Sequence, residues 1–226
     1  MSADFVFVPG FTQTPASWDP VTELLAAPAR VLAVPDDRDF VATAAALDVG
    51  PGDYVGYSMG GRLCLQLALD RPDVVQRLVL VSASPGIAEA VDRDARVEVD
   101  EALARSIERD GVDAFLERWV AQPLFATLPR DRAGLDERRA GHTVGSLTHQ
   151  LRVLGQGAQP SNWERLERLA AVPVLLIVGA LDTKYVDIAQ RMASAIPDAR
   201  VEVISDTGHA CHLEQPEQVA QLLTSW

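Results

Sequence analysis

The sequence predicts an α/β fold: an open, mostly parallel sheet flanked by helices, with one helical insertion. Three observations lead there. Apolar runs without polar alternation recur along the chain, as in Phe5-Val6-Phe7-Val8, Leu78-Val79-Leu80-Val81 and Val174-Leu175-Leu176-Ile177-Val178. Runs of that kind suit strands buried on both faces, which a parallel sheet covered by helices demands. They alternate with stretches of helical spacing, the pattern of α/β architecture. The alternation breaks once, between Pro85 and Gln159, where the chain is charged, helical in pattern and without a convincing strand.

In chain order, the first strand, Phe5 to Val8, stops at Pro9-Gly10, which reads as a tight loop. Helical spacing follows over Trp18 to Ala27, then a second strand over Val31 to Val34 closed by Pro35. A helix over Phe40 to Leu47 ends before Pro51-Gly52. The strand Asp53 to Gly56 leads into Tyr57-Ser58-Met59-Gly60-Gly61 and a helix over Arg62 to Leu69. Beyond the insertion, the strands Val174 to Val178 and Val201 to Ile204 enclose a helix over Val186 to Ala195, and a last helix covers Glu217 to Leu223. This gives a core of residues 1–85 and 161–226 and a helical lid over 86–160.

The chain has 226 residues, 20 Lys+Arg and 32 Asp+Glu, for a formal net charge of −12. That length supports one large domain with a proper core. The acidic balance argues against nucleic-acid binding, which needs a basic face for phosphate. No apolar run reaches the roughly 18 residues of a membrane span. Met1-Ser2-Ala3-Asp4-Phe5 lacks the basic start and apolar stretch of a signal peptide, and Cys64 and Cys211 read as reduced thiols, so the cytoplasm is the expected compartment. No Cys/His group has metal-ligand spacing and no dinucleotide or P-loop motif is present, so neither a metal nor a cofactor is expected. Oligomeric state is left open, a monomer included.

Gly56-Tyr57-Ser58-Met59-Gly60 matches Gly-x-Ser-x-Gly with a strand before it and a helix after it, the setting in which serine sits on a strained turn as a nucleophile. A plain strand-to-helix turn with a capping serine satisfies the same residues. A serine hydroxyl needs a base, and the base needs an orienting acceptor. Among His142, His149, His209 and His212, His209 follows the strand ending at Ile204, and Asp182 follows the strand ending at Val178. Both fall in loops at carboxyl ends of strands, where ligand sites of open sheets gather. The order Ser58, Asp182, His209 is that of α/β-hydrolases. Asp182 also fits an ordinary helix N-cap, and His209 a loop histidine. Met59 and Phe11 would supply the backbone donors of an oxyanion hole, although Pro9-Gly10 also reads as a simple turn.

Seven stretches together resemble one family, the 2-succinyl-6-hydroxy-2,4-cyclohexadiene-1-carboxylate synthases of menaquinone biosynthesis, lyases on the α/β-hydrolase fold. They are Gly10-Phe11-Thr12 with Ser17-Trp18, the elbow Gly56 to Arg62, and Ser82-Ala83-Ser84-Pro85-Gly86. Trp119 with Gln122-Pro123-Leu124-Phe125, Gly155 to Ser161 with Trp163, Leu181 to Tyr185, and Gly208 to Glu214 complete the set. The elbow belongs to the whole superfamily; the Gln-Pro-Leu-Phe and Gly-Gln-Gly-Ala-Gln-Pro pieces are more specific. The chain differs where the family usually has His-Gly (here Pro9-Gly10), in the segment from Pro35 to Phe40, and at Ser82, usually Glu. The chain begins directly at the strand before the Pro9-Gly10 loop, so the family's N-terminal antiparallel strands are expected to be absent or truncated.

The resemblance implies that Ser58 removes a proton, with His209 its proton partner and Asp182 orienting His209, and that 2,5-elimination then expels pyruvate from a cyclohexene with several carboxylates. It implies carboxylate binding by Arg62, Arg96 and Arg139, with Arg138 a neighbouring competitor. An anionic small-molecule partner in a chain of charge −12 requires such a local cationic pocket. Solvated surface positions would account for the same arginines. Tyr57 and Trp119 are expected to line the cavity, Trp119 equally to pack in the core. The alternative chemistry is a serine hydrolase acting on an ester, thioester or carbon–carbon bond through an acyl-enzyme.

Overall fold

The computed structural model describes residues 4–226. Its strands are β1 (Phe5–Val8), β2 (Ala29–Val31), β3 (Gly52–Tyr57), β4 (Val75–Val81), β5 (Val174–Gly179) and β6 (Ala199–Ile204). They form one six-stranded sheet in the order β2-β1-β3-β4-β5-β6, and every neighbouring pair is parallel.

Successive residues of the inner strands enter two different cores. Val6, Val8, Tyr54, Leu78, Leu80, Val174, Leu176 and Val178 face one cluster. Phe5, Phe7, Val55, Tyr57, Val79, Val81, Leu175 and Ile177 face the other. Alternation of polar and apolar residues is missing because both sides are covered. The first cluster is closed by α2 (Phe40–Ala46), α3 (Met59–Asp70) and α7 (Thr183–Ala195). The second is closed by α1 (Asp19–Thr22), α8 (Cys211–Glu214) and α9 (Pro216–Ser225).

The edges depart from the expected pattern. β2 lies over Ala29–Val31, two residues earlier than the apolar run, because Ala29, Arg30 and Val31 are the residues that register against Phe5, Val6 and Phe7 of β1. Its side chains are exposed or half-buried, and β6 fully buries only Ile204, so neither edge is covered on both faces. The helix expected over Trp18 to Ala27 is a 3-10 turn, Pro15–Trp18, followed by the single turn α1. Glu23 still bonds back to Asp19, but Leu24 and Leu25 make only i to i−3 bonds, to Val21 and Thr22.

β1 leads to β2 on one side, whereas β3 returns to its other side, so the order reverses between β1 and β3. Ligands of open sheets bind in the crevice beyond such a reversal. The loop after β1 and the turn after β3 flank it.

Between β4 and β5 the chain forms α4 (Ala90–Val120), α5 (Leu135–Gly141) and α6 (Val144–Leu154), and no strand. α4 spans 31 residues and breaks at Gly111, whose φ of 80° suits glycine. α6 opens with a capping box between Thr143 and Ser146. Ala104, Ile107, Phe115, Leu116, Leu147 and Leu151 give these helices a small core of their own. Among the described residues, no helix is long and apolar enough to cross a membrane.

Candidate active site

Ser58 sits between β3 and α3 with φ 49° and ψ −108°, a positive-φ conformation that a non-glycine residue rarely adopts. Its side chain makes no capping hydrogen bond, although it occupies the N-cap position of α3. The plain capping turn therefore does not describe it. The turn closes only because its flanks are small. A Cβ at Gly60 would strike the carbonyl of Val8, and one at Gly56 would meet the backbone of Gly60 and Gly61. These clashes explain the two glycines of the motif.

The Ser58 Oγ lies 3.2 Å from His209 Nε2. His209 Nδ1 lies 2.6 Å from Asp182 Oδ2, and both residues are buried. Asp182 is at the N-cap of α7, yet its carboxylate makes no cap bond and turns to the imidazole instead. Tyr185 packs edge-on against the His209 ring at 4.6 Å, with Tyr57 and Phe125 on other sides. A shielded Asp-His-Ser chain of this kind activates the hydroxyl: the aspartate holds the tautomer in which Nε2 accepts, and balances the imidazolium. The structure thus brings together three residues that stand 124 and 27 positions apart in sequence (182 − 58 and 209 − 182).

Two backbone N–H groups beside this hydroxyl lack backbone acceptors. Met59 opens α3, so its N–H has no partner one turn back. Phe11, in the loop after β1, makes no backbone hydrogen bond through its N–H among the described residues. Both residues line a cavity of about 250 Å³ with Tyr57, Ser58, His209, Arg62, Arg96 and Trp119.

The cationic groups behave differently from one another. Arg62 stands in the first turn of α3, four residues beyond Ser58, and is buried. It donates to Gln159 Oε1 at 3.0 Å and to the Leu154 carbonyl at 2.8 Å, and meets no carboxylate among the described residues. Burial pulls its guanidinium down to about 10, which leaves it charged at neutral pH. Arg96, on α4, donates to Asp100 Oδ1 at 2.8 Å and to Gln156 Oε1 at 3.0 Å.

Arg139 does not join them. Its guanidinium points out of the cavity, to Glu117 at 2.5 Å, Asp136 at 2.7 Å and Asp113 at 3.7 Å. The neighbouring Arg138 is the buried one, at 4% exposure, and it too lies outside the cavity lining. The expectation at position 139 is corrected by helix geometry: consecutive residues on α5 point about 100° apart.

Tyr185, Gln156 and Lys184, which no motif marks as functional, also line the cavity. Gln156 Nε2 donates to the Tyr185 hydroxyl at 3.1 Å and its Oε1 accepts from Arg96, so one amide links two walls. Their signal was present, since each lies inside a stretch that carried the family resemblance. His212, the nearest competitor of His209, is buried against Tyr57 at 4.2 Å and Trp18 at 4.6 Å. Burial, with Arg138 and His209 nearby, holds it well below the usual imidazole range, so it is neutral.

The sequence profile of the alpha/beta hydrolase fold matches residues 6–216. A Bacillus subtilis protein named putative 2-succinyl-6-hydroxy-2,4-cyclohexadiene-1-carboxylate synthase is 38% identical over 176 residues, covering 76% of this chain and 64% of the relative. The 2-succinyl-6-hydroxy-2,4-cyclohexadiene-1-carboxylate synthase of Serratia proteamaculans is 29% identical over 174 residues, covering 76% and 66%. The chain thus matches just under two thirds of the length of these curated relatives. The solved structure of MenH from S. aureus superposes with a TM-score of 0.91 at 28% identity, over 99% of this chain and 92% of that one. A thermophilic esterase from Thermogutta terrifontis, 22% identical, superposes at 0.77 over 100% of this chain and 89% of its own, and shares the fold.

Proposed function

The chain belongs to the α/β-hydrolase fold family, and on that premise we propose that it is a lyase that eliminates pyruvate from a cyclohexene carrying several carboxylates, the step of the 2-succinyl-6-hydroxy-2,4-cyclohexadiene-1-carboxylate synthases it resembles. One observation carries this reading. Two guanidiniums, Arg62 and Arg96, line the same cavity as Ser58 and His209 in a chain of net charge −12. Burying a guanidinium without a carboxylate, as at Arg62, is costly, and an anionic ligand offsets it. A neutral ester offers no such return.

In this mechanism His209 takes the Ser58 proton, and Asp182 stabilises the imidazolium. The Ser58 alkoxide then removes the proton from a ring carbon next to a carbonyl. The electron pair moves onto the carbonyl oxygen, where the Phe11 and Met59 N–H groups meet it. Its return through the ring forms the conjugated diene and expels the enolpyruvyl oxygen as an enolate, which takes the proton held by the His209 imidazolium and leaves as pyruvate. Arg62 and Arg96 hold the carboxylates, so the reacting carbon faces Ser58 from the start.

The test is pyruvate release from the enolpyruvyl-bearing cyclohexene, followed with lactate dehydrogenase and NADH. Release should fall by at least about 1,000-fold in Ser58→Ala, the scale on which triad removals act. Undiminished release in Ser58→Ala, or no release from a wild-type chain that hydrolyses esters briskly, overturns the lyase reading; the latter favours the hydrolase.

A further inference from the structure

The loop that carries Phe11 is strained, and the insertion holds it. Thr12, fully buried, has a φ of 66°. For a β-branched residue the left-handed region is unfavourable and persists only where the surroundings enforce it. The surroundings here are specific. Arg138, from α5, donates through Nη1 to Thr12 Oγ1 and through Nε to the Ala133 carbonyl at 2.7 Å. It is buried and meets no carboxylate among the described residues, in a chain with 32 of them. An arginine kept only for packing or solubility has no reason to be placed so.

The other end of the loop is pinned as well. Gln13 Oε1 accepts from the Gly10 N–H at 3.1 Å, while the Gln13 N–H donates to the Gly10 carbonyl at 3.1 Å. The Gln13 amide nitrogen lies 3.2 Å from His212 Nε2 and donates to it, since the neutral ring can accept. His142, from the insertion, donates through Nε2 to the Gln13 carbonyl at 3.2 Å. The Phe11 ring meets Trp119 edge-on at 4.9 Å. Phe11 is therefore fixed between Gly10 and Thr12, and three of the side chains that hold its loop, Arg138, His142 and Trp119, come from the helical insertion.

We propose that Arg138 is a positioning residue: by gripping Thr12 it keeps the Phe11 N–H aimed at the oxyanion site, so the insertion sets the catalytic loop as well as covering it. Its effect on pyruvate release rests on the proposed lyase reading. Its effect on the loop does not.

The experiment compares the wild type with Arg138→Met, which keeps the length and removes the donors. Labelling by diisopropyl fluorophosphate reads the loop directly. Ser58 Oγ bonds to phosphorus, fluoride leaves, the serine proton passes to His209, and the phosphoryl oxygen occupies the oxyanion site. In Arg138→Met the labelling rate, followed by intact mass, should fall by about tenfold or more, the scale of a misplaced oxyanion donor. The kcat for pyruvate release should fall in step, with KM within about twofold. Adding Thr12→Gly to Arg138→Met should restore most of the labelling rate, because glycine takes positive φ without help.

Unchanged labelling in Arg138→Met overturns the proposal, as does a raised KM at constant kcat, which would make Arg138 a substrate contact. Failure of Thr12→Gly to restore the rate overturns it too. If Arg138→Met does not fold, Thr12→Val in the wild-type background, which removes only the acceptor, must show the same loss of labelling. A wild type that labels but releases no pyruvate sinks the lyase reading alone. A wild type that does not label sinks both.

Discussion

Ser58, Asp182 and His209 stand just beyond the carboxyl ends of β3, β5 and β6, and β3 and β5 are buried along their whole length. Arg96 and Trp119 stand on α4, where only Asp100, Ala104, Ile107, Phe115 and Leu116 of 31 residues are buried. Besides the small core these apolar residues share with Leu147 and Leu151, the insertion carries many surface ion pairs. Arg152 pairs with Glu101 and Glu108, Arg139 with Glu117 and Asp136, and Arg130 with Glu117. The sheet thus fixes Ser58 and Asp182 by excluding water from both faces of β3 and β5. His209, after the edge strand β6, is held by its own burial and its bond to Asp182. Arg62 shares that burial on α3, whereas the α4 that carries Arg96 is held in part by contacts that salt and solvent weaken.

The sharpest way to break that contrast is to excavate the core. Phe7 is fully buried and packs on Trp18 at 4.9 Å. Phe7→Ala should cost about 3–5 kcal/mol in urea unfolding. A loss below about 1 kcal/mol would mean the sheet is not the rigid partner.

A smaller effect separates recognition from proton transfer. Arg96→Ala should lower kcat/KM for the anionic cyclohexene by about 100-fold, equivalent to about 2.7 kcal/mol, and spare p-nitrophenyl acetate hydrolysis. Arg139→Ala, whose guanidinium leaves the cavity for three carboxylates, should change neither. Equal loss of both activities in Arg96→Ala would place Arg96 with the proton-moving groups.

The smallest effect is a pH slope. His212 is neutral in the folded protein because burial, then Arg138 and His209, disfavour its proton. The unfolded chain takes that proton near pH 6.5, so it binds more protons than the folded one, and stability falls as pH drops below about 6.5. The slope approaches about 1.4 kcal/mol per pH unit in the acid part of that window. His212→Phe should flatten the urea-unfolding curve between about pH 6.5 and 5, leaving the contribution of His142, which burial also lowers. An unaltered slope would mean His212 does not supply it.

Much of the site could be read before any fold was in view. Ser58 is marked by glycines that have to let β3 and α3 touch, and Asp182 and His209 by their places after apolar runs. Arg62 follows from its distance of one turn from Ser58. The choice between Arg138 and Arg139 could not be read, because both fit the spacing and only the rotation of α5 against the loop after β1 tells them apart. The role of Thr12 was hidden for a related reason: nothing in Gly10-Phe11-Thr12-Gln13 shows that a threonine will be held at positive φ by an arginine 126 residues away.

By itself the order of residues determined the parallel sheet and the Ser58, Asp182, His209 order, because apolar runs and turn residues act over a few positions and leave a local mark. The placing of Arg96 beside Arg62 and Ser58, the exclusion of Arg139 and the grip of Arg138 on Thr12 were decided by tertiary packing. Side-chain direction on a helix turns by about 100° per residue, so a charge faces ligand or solvent according to how that helix docks, which no short stretch of sequence encodes.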